Sequence, residues 1–181
     1  MAAKVVEDIE GVQVIERRGE RTLLDHLDTR DVLDHLCGII PALPKHMTKK
    51  SRIAIVDGSN VAHSTEGGSA RLENILLMRD KLVAKGLEPV LVVDAALRHQ
   101  IDDMEGYEKL VTEGALKQAP AGTDADYFIL SFARELGARV VSNDRFRDRM
   151  PEFKDLSRRF IRYMIVNGEV VFEQRNGRRK G

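Results

Sequence analysis

From Arg52 onward the chain alternates between two hydrophobic patterns. Short, unbroken apolar runs have the length and composition of strands covered on both faces: Ile53-Ala54-Ile55-Val56 closing on Asp57, Val90-Leu91-Val92-Val93 closing on Asp94, and Arg139-Val140-Val141-Ser142 before Asp144. Between them, Leu72, Ile75, Leu76, Met78, Leu82 and Val83 recur at helical spacing and stop at Gly86. A further helix starts near Asp124 and carries Phe128, Ile129, Phe132, Ala133 and Leu136 before Gly137. Two apolar runs, residues 160–166 and 169–172, flank Asn167-Gly168, the dipeptide that most strongly marks a tight hairpin. Strands alternating with helices predict a doubly wound α/β domain, a mostly parallel sheet with helices on both faces, closed by a C-terminal β-hairpin.

Residues 1–50 follow a different pattern. Two short strand-like runs surround Gly11, and Leu23, Leu24, Leu27, Val32, Leu33 and Leu36 are loosely helical. Leu24-Asp25-His26-Leu27 recurs nine residues later as Leu33-Asp34-His35-Leu36, a spacing that fits two short helices better than one, with the Asp-His pairs as surface-polar positions. Pro41, Pro44 and the stretch to Lys50 resemble a linker. The organisation expected is an appendage over 1–50, serving dimerisation or regulation, a domain over 51–173 and a basic tail over 174–181.

Composition narrows the chemistry. Among 181 residues there is one cysteine, Cys37, which excludes an internal disulfide and any thiolate-bound metal cluster. No apolar run is long enough to span a membrane, and Glu7, Asp8 and Glu10 are foreign to a signal peptide, so a cytoplasmic protein without membrane association is expected. The net charge is zero, but from Arg139 on there are 12 basic and 6 acidic residues, leaving 17 against 23 before it. A basic C-terminal quarter suits a polyanion, and an acid-rich remainder suits cations.

In doubly wound sheets the site lies beyond the carboxyl ends of the strands, where this chain places Asp57 and Asp144. Asp148 follows Asp144 by one helical turn, and Asp124 and Asp126 open the helix leading to that strand. Singly, each has a plain structural reading: Thr123-Asp124-Ala125-Asp126 reads as a capping box, and strand-end aspartates bind turn amides. Together, converging carboxylates raise one another's pKa unless a hard divalent cation with oxygen ligands, Mg²⁺ or Mn²⁺, is held between them.

Three segments carry a family resemblance: Asp57-Gly58-Ser59-Asn60-Val61-Ala62, Asp124-Ala125-Asp126-Tyr127-Phe128-Ile129-Leu130 and Val141-Ser142-Asn143-Asp144-Arg145-Phe146-Arg147-Asp148. Over about residues 51 to 173 they resemble, in order, the acidic motifs of the NYN branch of PIN-like nucleases, and within it the Regnase-type ribonuclease domain. The resemblance implies a Rossmann-like PIN domain and metal-dependent endoribonuclease activity on RNA. It further implies metal ligation by Asp57, Asp124, Asp126, Asp144 and Asp148, with Asn60 and Ser142 orienting a carboxylate or water. Regnase-type domains carry adjacent acids at the helix start, whereas here Ala125 separates Asp124 from Asp126; counting back from Ala133 matches Asp126. The associated CCCH zinc finger is absent.

Hydrolysis of this kind, through one or two metal ions, needs no His or Ser nucleophile and leaves 5′-phosphate and 3′-hydroxyl ends. RNA phosphates are expected at Arg98, His99, Arg145, Arg147, Arg149 and Arg158, with Arg159, Arg162, Arg175, Arg178, Arg179 and Lys180 as further basic positions. His63 is a weaker candidate. With 5% aromatics there is no stacking platform for sequence-specific reading. The alternative class is a catalytically inactive RNA-binding module of the same fold. A haloacid-dehalogenase-type phosphatase is disfavoured because the residue two beyond Asp57 is Ser59, not a second aspartate.

Overall fold

The computed structural model describes residues 52–65, 68–119 and 124–174. The appendage over 1–50, the tail residues Arg175, Arg178, Arg179 and Lys180, and Thr123 lie outside them. The elements run β1 (Ile53–Asp57), α1 (Gly58–Ala62), α2 (Leu72–Ala84), β2 (Glu88–Val93), a 3₁₀ helix (Ala95–His99), α3 (Met104–Thr112), β3 (Leu116–Gln118) and α4 (Ala125–Glu135). They continue with β4 (Arg139–Val141), a second 3₁₀ helix (Lys154–Leu156), β5 (Phe160–Ile161), β6 (Tyr163–Val166) and β7 (Glu169–Phe172). Five parallel strands form one sheet in the order β3-β2-β1-β4-β5, and β6 and β7 pair antiparallel in a second.

The unbroken apolar runs are explained by the layers. In β1, Ala54 and Val56 pack with Val61, Ile75, Met78 and Leu82, whereas Ile53 and Ile55 pack with Ile129, Phe132 and Ala133 of α4. Successive side chains point to opposite faces and both faces are covered, so no polar residue fits between them. Tyr163 and Val170 of the hairpin join the first of these cores. None of the described helices is long and apolar enough to cross a membrane.

The chain steps from β1 outward to β2 and β3, then returns to place β4 on β1's other side. That reversal opens a crevice at the carboxyl ends of β1 and β4. Gly58, directly after β1, permits the tight turn there: a Cβ would lie 2.6 Å from Val93 Cγ1 and 2.9 Å from the Val92 carbonyl oxygen. Gly58→Ala is expected to destabilise by about 1–3 kcal/mol, read as a lower denaturant midpoint at unchanged slope. An unaltered midpoint would mean the turn relaxes freely.

The hairpin forms as its sequence predicts, with Asn167 and Gly168 at φ 49 and 74, the left-handed pair a type I′ turn requires. The apolar run before it is not one strand, however. Phe160 and Ile161 extend the parallel sheet beside β4, and Tyr163 begins the second sheet. The break falls at Arg162, whose Nη1 donates to the carbonyls of Ser142 and Asp144. Beside it the Asn143 side chain takes both backbone groups of Tyr163, accepting from its N–H at 3.2 Å and donating to its carbonyl at 3.0 Å. A side chain thus occupies the hydrogen-bonding groups that a strand neighbour would use.

Candidate functional site

Asp57 ends β1 and caps α1, its Oδ1 accepting from the Asn60 backbone N–H at 3.0 Å. Its Oδ2 accepts from the Ser142 hydroxyl at 2.8 Å, across from the end of β4. The carboxyl is only 7% exposed. Burial pushes its pKa up to about 6, nearby Asp126 and Asp144 push the same way, and the two hydrogen bonds only partly oppose them. Asp126, half-buried in the first turn of α4, is likewise raised, first by burial and then by Asp124 and Asp144. These acids, distant in sequence, share one electrostatic neighbourhood.

Ser142 and Asn60 connect the rim. The Ser142 hydroxyl, donating to Asp57, accepts from the Asp144 N–H at 3.0 Å. Asn60 Oδ1 accepts from the Asn143 N–H and from the Tyr163 hydroxyl, both at 2.9 Å. Tyr163 is buried, which raises its phenol pKa and keeps it a donor. Tyr163→Phe removes a hydroxyl that bonds both Asn60 Oδ1 and, at 2.8 Å, the Ser64 hydroxyl, and is expected to lower stability by about 1–2 kcal/mol, measured by denaturant titration. Equal stability would mean that Asn60 holds its place unaided.

Asp144 and Asp148 are exposed and line, with Asp124, Asp126 and Asn143, a cavity of about 580 Å³ that also takes in Arg145, Arg147 and Arg149. Asp144 Oδ1 accepts from the Phe146 N–H at 2.6 Å. Phe146 has φ 47, a left-handed backbone that is rare for an aromatic residue, with its ring buried against Phe160 at a centroid distance of 5.7 Å. Such a conformation costs about 1–3 kcal/mol and persists where the surroundings hold it.

Several expected residues are otherwise engaged. Asp124 caps α4 through Oδ1, accepting from the Tyr127 N–H at 3.1 Å, and its Oδ2 is ion-paired with Arg149. Asp124 therefore has a guanidinium partner, and Arg149 is taken by it. Arg98 pairs with Glu108 at 2.5 Å. His99 is exposed on the same 3₁₀ helix, and Arg158 is exposed beyond the other one. The His63 ring lies 2.8 Å from the Ser59 carbonyl oxygen and 2.9 Å from Gln100 Oε1, which accounts for both nitrogens. Ser59 Oγ accepts from the Asp94 N–H at 3.0 Å.

Two rim residues escape sequence reasoning. Asp94 directly follows β2, caps the following 3₁₀ helix through the Leu97 N–H, and raises the pKa of Asp126; the strand-end rule that finds Asp57 applies equally to it. Tyr163 gives no signal, being one aromatic in an apolar run.

Among the described residues, no three carboxylate or imidazole side chains stand where they could jointly hold a metal ion. The donor chemistry nevertheless fits a hard divalent cation. The candidates are all oxygen ligands, and Asp57 is pushed up first by burial and then, less, by Asp126 and Asp144, a field that added positive charge relieves.

Residues 50–181 match the family model described as the Zc3h12a-like ribonuclease NYN domain. Comparison with curated proteins returns no significant match. Among solved structures, Arabidopsis thaliana nuclear protein-only RNase P 2 (PRORP2) is similar at TM-score 0.56 and 23% identity, over 81% of this chain and 36% of that one. A second structure of PRORP2 from A. thaliana gives 0.60 and 23%, over 86% and 33%. This chain spans about a third of those proteins, and the likeness speaks for the fold: the parallel α/β sheet of a PIN-like NYN domain followed by an antiparallel strand pair. With more than two thirds of its length matched, the chain belongs to the Zc3h12a-like ribonuclease NYN domain family.

Proposed function

We propose that this ribonuclease-family chain is a metal-dependent endoribonuclease that hydrolyses RNA phosphodiester bonds at the acidic crevice, leaving 5′-phosphate and 3′-hydroxyl ends. The observation that carries this reading is Asp57, a buried carboxylate at the strand switch point whose pKa is raised by burial and further by Asp126 and Asp144. Asp57, Asp126, Asp144 and Asp148 are the residues to hold Mg²⁺ or Mn²⁺. Asp124, capping α4 and paired with Arg149, serves the scaffold of the site. When bound, such a cation supplies Lewis acidity toward the phosphoryl oxygens and a nucleophile at neutral pH.

The remaining contributions come from the chain itself. Ser142 and the Asn60 N–H fix both oxygens of Asp57, so the carboxylate needs little reorganisation when charge arrives. Asn60 joins that rim to the β4 loop through the Asn143 N–H. Arg145 and Arg147 line the cleft and place cationic groups where phosphates of the substrate enter.

Incubation of the full chain with single-stranded and hairpin RNA in Mn²⁺ or Mg²⁺, with EDTA controls and analysis of product ends, tests the proposal. Cleavage only with metal and 5′-phosphate products are expected. Cleavage undiminished in EDTA, or cyclic phosphate ends, refutes the metal mechanism; RNA bound but never cut establishes the inactive binding module instead.

A further inference from the structure

The acidic crevice opens at the carboxyl ends of the strands, and a separate hollow of about 490 Å³ opens at their amino ends. Leu87, just before β2, and Arg139, the first residue of β4, mark its position. On this face the sheet is covered by α2 and the hairpin, and the hollow is the gap left between them. Its walls carry Leu87, Ile161, Val170, Val171 and Phe172, most of them packed against the first core from below. A parallel sheet has both faces covered, so an apolar gap here is a surface short of a partner. The apolar surface continues past the rim. Met164, 61% exposed, lies opposite Val171, 46% exposed, and Val166 follows on the same outer face of the hairpin at 52%. Lys81, Lys85 and Arg139 border the hollow, and among the described residues no ion pair engages any of them. Glu173 is the one acid in the lining.

We propose that residues 22–37 of the same chain dock in this hollow, their leucines on its apolar walls and their aspartates against its cations. Charge and position both select this occupant. Each half of the segment joins three apolar residues, Leu23, Leu24 and Leu27 or Val32, Leu33 and Leu36, to two acids, Asp25 and Asp28 or Asp31 and Asp34. Arg30 is its only Lys or Arg. An apolar floor bordered by unpaired cations is the complement of that pattern. The tail, which leaves the same rim at Gln174, carries Arg175, Arg178, Arg179 and Lys180 and is repelled by those cations. As for position, the Arg52 carbonyl accepts from the Glu88 N–H at 3.0 Å, next to Leu87 in the hollow's wall, so the chain enters the domain beside the gap. The short connection from Cys37 to Arg52 presents the segment to the hollow at about millimolar effective concentration, and modest contacts then suffice. Docked there, the segment joins α2 to the hairpin at the end of the sheet away from the acidic crevice.

The test uses Cys37, the single cysteine of the chain, which directly follows Leu36. A nitroxide attached to it broadens the amide resonances of residues that it approaches, read on the full chain at low concentration in EDTA. Leu87, Val171 and Phe172 are expected to broaden, and Glu105, in the first turn of α3 beyond the carboxyl end of β2, is expected to stay sharp. Leu27→Asp combined with Leu36→Asp should remove most of the broadening. Lys81→Gln combined with Lys85→Gln should do the same from the other side, and since Lys85 is exposed and Lys81 half-buried, the core is left intact. A connection that merely passes the hollow broadens the same residues equally in all three proteins, and that result overturns the proposal, as does an unbroadened hollow in the parent chain. Mixing nitroxide-bearing chains with isotope-labelled chains that lack the nitroxide separates the occupants. Broadening only within one molecule supports the assignment, and broadening passed between molecules gives the hollow to a second copy and overturns it. Neither RNA nor metal enters the measurement, so its outcome stands apart from the ribonuclease reading.

Discussion

Asp57→Asn lowers metal-dependent RNA cleavage by about 10²–10³-fold while raising the stability of the metal-free protein at pH 7. The two effects have one cause. A buried carboxylate with acidic neighbours is poor for the fold and useful to a cation, and the amide removes both properties. The activity loss is the size expected when one preorganised electrostatic partner of the reacting charge is removed. The stability gain follows from linkage. Asp57 in the folded chain has a pKa pushed up to about 6, from an ordinary value of 3.8, by burial first and by Asp126 and Asp144 next. The penalty is absent below the unfolded value, grows as pH rises through the interval, and is complete above about 6. Two pKa units correspond to roughly 2–3 kcal/mol, and the amide, which must replace one acceptor, recovers about half of that. Thermal melts of both proteins in EDTA at pH 4.5 and 7.5 read this directly: the wild type should lose stability across the interval relative to the variant. Asp144→Asn, which can keep an oxygen for the Phe146 N–H, is the companion variant; it should lose activity comparably with its loop intact. Full activity in either would remove that residue from the proposed chemistry.

Adding Mg²⁺ or Mn²⁺ inverts the pH dependence. Ligand carboxylates must be deprotonated to bind, so the cation is held more tightly at pH 7 than at pH 5. At a concentration one hundred times its dissociation constant a cation stabilises the folded chain by about 2.7 kcal/mol, which for a domain of this size is a rise of several degrees in Tm. The shift should saturate, diminish toward pH 5 and shrink strongly in Asp57→Asn. A shift of equal size in that variant, or none at neutral pH, would place any bound metal elsewhere.

The parts of the fold legible in sequence are those with both sides covered or one face clearly apolar. Ile53-Ala54-Ile55-Val56 and Val90 to Val93 declare buried strands, and the helices carrying Ile75 and Phe128 declare their stripes. Strands β3 and β5, of three and two residues, are too short to carry a periodicity, and their pairing is set by neighbours already in place. The division of residues 160–166 between two sheets is decided by Arg162 and Asn143, polar groups whose partners lie about twenty residues away. The strand-end rule locates Asp57 and Asp144 because topology alone brings them together. It is silent about pairing, so the attachment of Asp124 to Arg149 and of Arg98 to Glu108 appears only in three dimensions.

The bonds from Asn143 and Arg162 join the β4 loop to the start of the final hairpin, and Tyr163 carries the connection on to Asn60. During synthesis the chain emerges N-terminus first. The acidic residues therefore leave the ribosome before the segment that braces them. A nascent chain halted ahead of Tyr163 has every carboxylate of the crevice and lacks the anchor for Asn60, so it should acquire its working geometry only when the last two strands have formed.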